Sequence, residues 1–600
     1  MHASRKMPFL SAPKRSRRRG RRAGFHVARN LPVVPVSAAK SRRAREIFGM
    51  MTTERAHGRL RRPTFSQRLA GRLLAATALV AVVLGAGAAS AQGVLRIGMT
   101  ASDIPLTTGQ TDNGGEGQRF LGFTAYDALI NWDLSSADKP SDLVPGLALS
   151  WAVDAADKTK WTFKLRPGVK FHDGSDFTAE AVVWNLDKIL VKESPQFDPR
   201  QSSQGRSRIP AVASYKAVDP LTLEIVTKSP DATLPYQIAW IMISSPANWE
   251  KQGRNWDNVA KAPSGTGPWK IVNFVPRERV ELVPNPDYWD KARVPKLERM
   301  VLLPLPEANS RVAALRSGQV DWIEAPPPDA VPSLKSAGFA IVTNAYPHNW
   351  TWHLSRVEGS PWNDIRIRKA ANLAIDREGL KELLGGLMIP AQGFMPPGHQ
   401  WFGAPKFKVT YDLKEAQRLM AEAGYSKSKP LKTKILISAS GSGQMLPVPM
   451  NEFLQQSLAE IGIQVELETM EWNTLINVWR AGAKHESSRG ASGMNYSYFI
   501  QDPFTALIRH LQCNLAPPAG TNWGLYCDPE MDKLFDEVRS SFDPDAQKAA
   551  LRKVHEKYVD DALFLMVTHD VNPRAMSKKV QGFVQAQNWF QNFSSISMAK

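Results

Sequence analysis

Acidic residues are almost missing from the first 91 positions of this chain, where only Glu46 and Glu54 stand against 20 lysines and arginines. The formal charge of the whole chain is +19, yet residues 92–600 hold 56 basic and 55 acidic side chains. That balance excludes nucleic-acid binding by the part that can fold, because no basic excess survives outside the leader. Cysteine is equally scarce, with only Cys513 and Cys527 in 600 residues. No internal repeat and no sustained heptad is present, which excludes a solenoid or a coiled coil. The phosphate-cradling pattern G-x-x-x-x-G-K-[ST] is absent, which excludes nucleotide hydrolysis by that route. His485-Glu486 and His555-Glu556 each begin a zinc-protease-like motif, but neither has the second histidine one helical turn on. Both are expected to be solvated helix residues. Ser440 and Ser442, in Ala439-Ser-Gly-Ser-Gly443, do not meet the G-x-S-x-G pattern of a nucleophile elbow. This segment reads as a turn or a helix entrance with scope for a ligand role. With catalysis unsupported, a binder remains, and no cofactor is expected.

The leader has the order of a secretory signal. Basic residues precede an apolar run at 73–89, and the small residues Ala89-Ser90-Ala91 follow. The run is marginal for the roughly 20 apolar residues that a membrane span needs, and Gly85 and Gly87 weaken it further. Residues 1–50 read as a disordered basic extension, with Met50 or Met51 as an expected true start, and 51–91 as the signal peptide. Cleavage is expected before Gln92. Arg61-Arg62 raises the twin-arginine route, but Phe65 falls one residue late for it, so general secretion is favoured. No cysteine stands at the cleavage point, so no lipid anchor is expected. The mature chain should be soluble in a Gram-negative periplasm. Cys513 and Cys527 lie in a turn-rich segment, and in an oxidising compartment they read as one disulfide around Trp523 and Tyr526. Two free thiols are the alternative.

The residues after 91 are too many for one hydrophobic core, so at least two domains are expected. The lack of a long Gly/Ser stretch argues for short crossings between them. Strands are expected at 94–99, 161–166, 221–226, 269–274, 279–283 and 340–343. Helices are expected at 178–190, 307–317, 364–374, 413–423, 446–461, 471–481, 529–540 and 545–561. This mixture is an α/β or α+β pattern.

Leu143-Val-Pro-Gly-Leu-Ala-Leu-Ser-Trp151, with Trp161-Thr-Phe-Lys-Leu-Arg-Pro-Gly-Val-Lys-Phe-His-Asp-Gly174 and Phe177-Thr-Ala-Glu180, resembles the signature block of the peptide/nickel (family 5) solute-binding proteins of ABC importers. Gly265-Thr-Gly-Pro-Trp269, Asn285-Pro-Asp-Tyr-Trp289, Ala314-Leu-Arg-Ser-Gly-Gln-Val-Asp321, Arg366-Ile-Arg-Lys-Ala-Ala371, Ala374-Ile-Asp376 and Cys527-Asp-Pro-Glu530 continue the resemblance in order. It implies an α/β, two-lobed periplasmic binding protein of type II, with the extra domain of the large peptide-binding class. The first lobe is placed at 92–345 with its inserted domain near 140–260. The second is placed at 346–568, and 569–600 returns to the first. A monomer closing on a peptide or peptide-like solute and delivering it to permease subunits is the function implied. A sugar oligomer, an opine-like conjugate or a metal chelate is the alternative solute. Free nickel is disfavoured because His348, His353, His399, His510 and His569 are scattered, without ligand spacing.

In such proteins an acidic residue before an Asp/Glu-Pro step can pair with a peptide's α-ammonium group. Here the stretch is Asn495-Tyr-Ser-Tyr-Phe-Ile-Gln-Asp-Pro503, which puts Phe499 at that position. A phenyl ring cannot neutralise a buried ammonium. Either Asp502 supplies the charge from a shifted position, or the solute is not an ordinary free-amine peptide. The expected ligand set is completed by Trp352, Trp401, Tyr496 and Tyr498 as stacking faces, and by His353, Asn495 and Gln501 as hydrogen-bonding groups.

Overall fold

A computed structural model of the protein describes residues 93–100, 108, 116–441 and 443–600. The expected basic extension, signal peptide and cleavage point lie outside these residues, as does Ser442.

Val94–Met99 is a central strand of the first lobe. Leu95, Ile97 and Met99 alternate into its core with no exposure, and the strand is paired in parallel on both sides. The sheet has seven strands in the order Ala340–Val342, Arg574–Met576, Trp322–Glu324, Val94–Met99, Arg299–Pro304, Arg279–Pro284, Trp269–Val275. A second, antiparallel sheet of four strands runs Ala148–Val153, Lys160–Leu165, Thr222–Thr227, Val212–Asp219. Trp161, Phe163 and Leu165 point into the core while Lys160 and Lys164 point outward, as in a sheet covered on one face. Its cover includes helix Ala179–Leu190, whose first turn is closed by the Thr178 side chain accepting from Ala181 N.

The second lobe is built on six strands in the order Met388–Pro390, Phe564–Asp570, His348–Leu354, Gly493–Phe499, Leu431–Ser438, Ile463–Met470. Every residue of His348–Leu354 and of Phe564–Asp570 is buried. A strand covered on both faces loses the alternation by which strands are recognised, so these strands are invisible to a period-two reading. The chain passes between the two sheets at residues 343–347 and again at 571–573.

Cys513 and Cys527 form a disulfide with their Cα atoms 4.5 Å apart, beside the buried Trp523. One expectation is corrected here. His555 is not a solvated helix residue but a fully buried one, with Nε2 accepting from Met395 N (3.0 Å) and Nδ1 bonded to Phe402 O (2.7 Å). A histidine serving two backbone groups of a neighbouring loop is a packing device. His485 is exposed, as expected.

Candidate functional site

The two lobes meet where strand Gly493–Phe499 ends. Phe499 lies with its ring 4.6 Å from Trp589 and 5.6 Å from Trp240, both of the first lobe, and stacks on His348 at 5.2 Å. Three residues later the Asp502 carboxylate accepts from Trp240 Nε1 (3.2 Å) and from Thr505 N (2.7 Å). Arg208, the last residue of helix Pro199–Arg208, donates from Nη1 to Thr505 Oγ1 (3.0 Å) and stacks 3.9 Å over the Trp240 ring. Arg509 Nη2 donates to Ser207 Oγ (3.0 Å), and Trp589 N donates to Gln501 Oε1 (3.1 Å). The interface is thus a ring cluster bordered by hydrogen bonds from one lobe to the other: Trp240 to Asp502, Arg208 to Thr505, Arg509 to Ser207 and Trp589 to Gln501. Burial pushes Asp502 above the usual carboxylate range, against its hydrogen bonds and the Arg208 charge.

Beside this cluster a cavity of about 50 Å³ lies between the lobes, with Arg119, Glu324 and Pro328 on one side and Gly443, Met445 and Asp570 on the other. At roughly 10–15 Å³ for each water it holds only a few solvent molecules. A peptide-sized molecule can enter only if the lobes part. Arg119 and Glu324 form a buried ion pair on the first-lobe side. Asp570, at the second crossing, accepts from Asn572 N (2.6 Å) and is pushed up to about 6 by burial, opposed by that bond and by the charges of Arg119 and Arg574. Gly443 has φ +67°, and a Cβ there would collide with the His348 ring, so this wall of the cavity requires glycine. His348 itself is buried, held neutral by desolvation at about 3, and among the described residues neither ring nitrogen has a hydrogen-bond partner.

The structure divides the residues expected to bind ligand. Phe499, Gln501 and Asp502 come together at the lobe interface. Trp352, His353, Asn495, Tyr496 and Tyr498 lie inside the second lobe. There Trp352 Nε1 donates to Asn451 Oδ1 (2.6 Å), and Asn451 Nδ2 donates to Asn495 Oδ1 (3.0 Å). His353 Nδ1 bonds the Tyr498 hydroxyl (2.6 Å), and Tyr496 stacks on Trp479 at 5.0 Å. Trp401 is buried against His399, 4.7 Å away. The sequence reading missed Arg119, Arg208, Trp240, Glu324, Asp570 and Trp589. Arg119 and Glu324 are more than 200 positions apart, and no local pattern joins them. The loop at 439–443 did carry a signal, since two glycines beside a helix start mark close backbone approach.

The model of the bacterial extracellular solute-binding proteins, family 5 Middle, matches residues 142–513. The di/tripeptide-binding protein 2 of Pseudomonas aeruginosa is 26% identical over 518 residues, covering 82% of this chain and 94% of that protein. The glutathione-binding protein GsiB of Pectobacterium atrosepticum is 28% identical over 460 residues, covering 74% of this chain and 84% of that protein. Among solved structures, the periplasmic binding protein DppA of Helicobacter pylori in complex with the peptide STSA superposes with a TM-score of 0.72 at 23% identity, over 85% of this chain and 98% of that one. Two lobes joined by two crossings, a cavity between them and a family match over most of the chain lead to one conclusion: this protein belongs to the family 5 bacterial extracellular solute-binding proteins.

Proposed function

We propose that this protein is the exported, periplasmic binding component of an ABC importer, that it encloses a peptide or peptide-derived solute between its lobes, and that it presents the closed form to a membrane permease. In this reading it acts as a monomer and performs no reaction. Residues 92–345 with the chain that returns after the second crossing form one lobe, carrying an inserted domain near 140–260, and the chain from 346 through strand Phe564–Asp570, two residues beyond the expected bound of 568, forms the other. Phe499, Gln501 and Asp502 are the members of the expected ligand set that face the solute, while Trp352, His353, Trp401, Asn495, Tyr496 and Tyr498 hold the wall behind them. Among the described residues no helix is long and apolar enough to cross a membrane, which suits an exported carrier.

The observation that carries the reading is the cavity lined from both lobes beside the second crossing. A solute touching both walls favours the closed arrangement by its differential contacts, which is the condition for population shift. Calorimetry with di- to pentapeptides and their N-acetylated forms tests it. Saturable binding of one class at micromolar concentration supports the reading, and no binding by any class overturns it.

A further inference from the structure

Arg208 is only 7% exposed, and it sits at the lobe interface. A guanidinium carries five N–H donors and a charge that it does not lose. Among the described residues Arg208 makes one hydrogen bond, to the Thr505 hydroxyl, and no ion pair. Trp240 at 3.9 Å and Phe499 at 5.4 Å attract the cation through their ring faces, but faces leave its N–H edge unserved. Asp502, the carboxylate whose charge reaches Arg208, is already engaged by Trp240 Nε1 and Thr505 N. A second buried guanidinium, that of Arg509, also repels Arg208. The largely buried positive charge of Arg208 is answered only by an Asp502 carboxylate already engaged elsewhere, which leaves most of its N–H donors available to a second anion.

We infer that the solute supplies this second anion: it carries a carboxylate at the end that meets Phe499, on an acylated or otherwise blocked amino group rather than a free α-ammonium, and the N–H edge of Arg208 receives it. This rests on the peptide-type reading of the same site. The geometry suits it, because Phe499 offers an ammonium no counter-charge, and the adjacent Arg208 repels one. Planar guanidinium and carboxylate groups pair through two parallel hydrogen bonds, which fixes orientation as well as sign. The Phe499 ring stacks on His348, and His348 packs against Gly443 of the cavity wall, so in this arrangement the blocked end meets Arg208 and the rest of the solute reaches the cavity once the lobes part.

Two experiments test the inference. Protein purified from the periplasm is denatured, and the released solute is treated with dansyl chloride and weighed by mass spectrometry. An anionic solute without a reactive α-amine is expected, and a dansylated α-amine overturns the inference. Amide bonds in the fragment spectrum, or their lack, judge the peptide reading separately. In parallel, calorimetry compares alanyl-leucine with N-succinyl-alanyl-leucine on the same protein. The succinylated form should bind at least about tenfold tighter to the native chain. That ratio should fall to about one in Arg208→Gln and be partly kept in Arg208→Lys, with a melting curve confirming that each variant is folded. Equal or tighter binding of the free-amine form, or an unchanged ratio in Arg208→Gln, refutes the role of Arg208. If neither probe binds, the charge of the released solute decides the inference and its fragment spectrum decides the peptide reading. Neither binding nor a released solute overturns both.

Discussion

Lys188 gives the fold a measurable pH dependence. It lies on helix Ala179–Leu190 with no exposure, and Nζ donates to Asn185 Oδ1 (2.9 Å) and Ser244 Oγ (3.0 Å). Trp256 and Trp184 stand 5.3 and 6.0 Å from the ammonium, and burial lowers the group from 10.5 to about 7, with the Asp198 charge opposing. The unfolded chain keeps its proton to near 10.5 while the folded chain gives it up near 7. Between those values the unfolded state therefore binds more protons, and stability rises with pH across the window; below it the full cost of the buried charge is present. At about 1.4 kcal/mol for each pH unit, that cost is at most about 5 kcal/mol. Lys188→Met removes the charge together with two hydrogen bonds worth about 1 kcal/mol each. No acceptor is orphaned, because Asn185 Oδ1 still accepts from Ser244 N (3.1 Å) and from Ser244 Oγ (3.0 Å). The variant should be more stable than its parent by up to about 3 kcal/mol near pH 6 and less stable by about 2 kcal/mol near pH 10.5. Urea unfolding followed by tryptophan fluorescence through this range tests it. Two stability curves that stay parallel, or a variant weaker at pH 6, would refute the reasoning.

N-terminal sequencing of periplasmic protein should read from Gln92, and a start within the first 70 residues would contradict export. Replacing both cysteines by serine should cost about 3 kcal/mol of stability, as expected for a short closed loop, with solute affinity in calorimetry nearly unchanged. Gly443→Ala should destabilise the second lobe by about 2 kcal/mol through its positive φ and the collision with His348, and weaken solute binding at least tenfold.

The parts of the fold that announced themselves in the sequence are those with one wet face. Helix Ala179–Leu190 keeps the Thr178 cap and polar positions that mark it, and strand Lys160–Leu165 alternates lysine with buried aromatics. The second lobe's sheet was silent because His-Asn-Trp-Thr-Trp-His-Leu is buried throughout and mixes polar with aromatic side chains. Trp352 and Asn495 are satisfied by Asn451, a helix residue 99 and 44 positions away, a pairing set by tertiary contact alone. The same cause blurred the site. Trp352 and His353 have the chemistry of ligand-binding groups, yet that chemistry is spent within the sheet. Phe499 was legible as a departure from the expected acidic residue. Its neighbours Arg208, Trp240 and Trp589 were not, because they come from segments 90 to 291 positions away in the chain.

Lobe closure on a solute is the central claim, and a distance across the cavity mouth tests it most directly. Both native cysteines are held in the disulfide, so Ser336→Cys on the first lobe and Glu382→Cys on the second can be spin-labelled without interference. Double electron–electron resonance should show a longer distance in solute-free protein that collapses to a single shorter one at saturating solute. A distance distribution that does not change while calorimetry shows the site filled would contradict capture between the lobes.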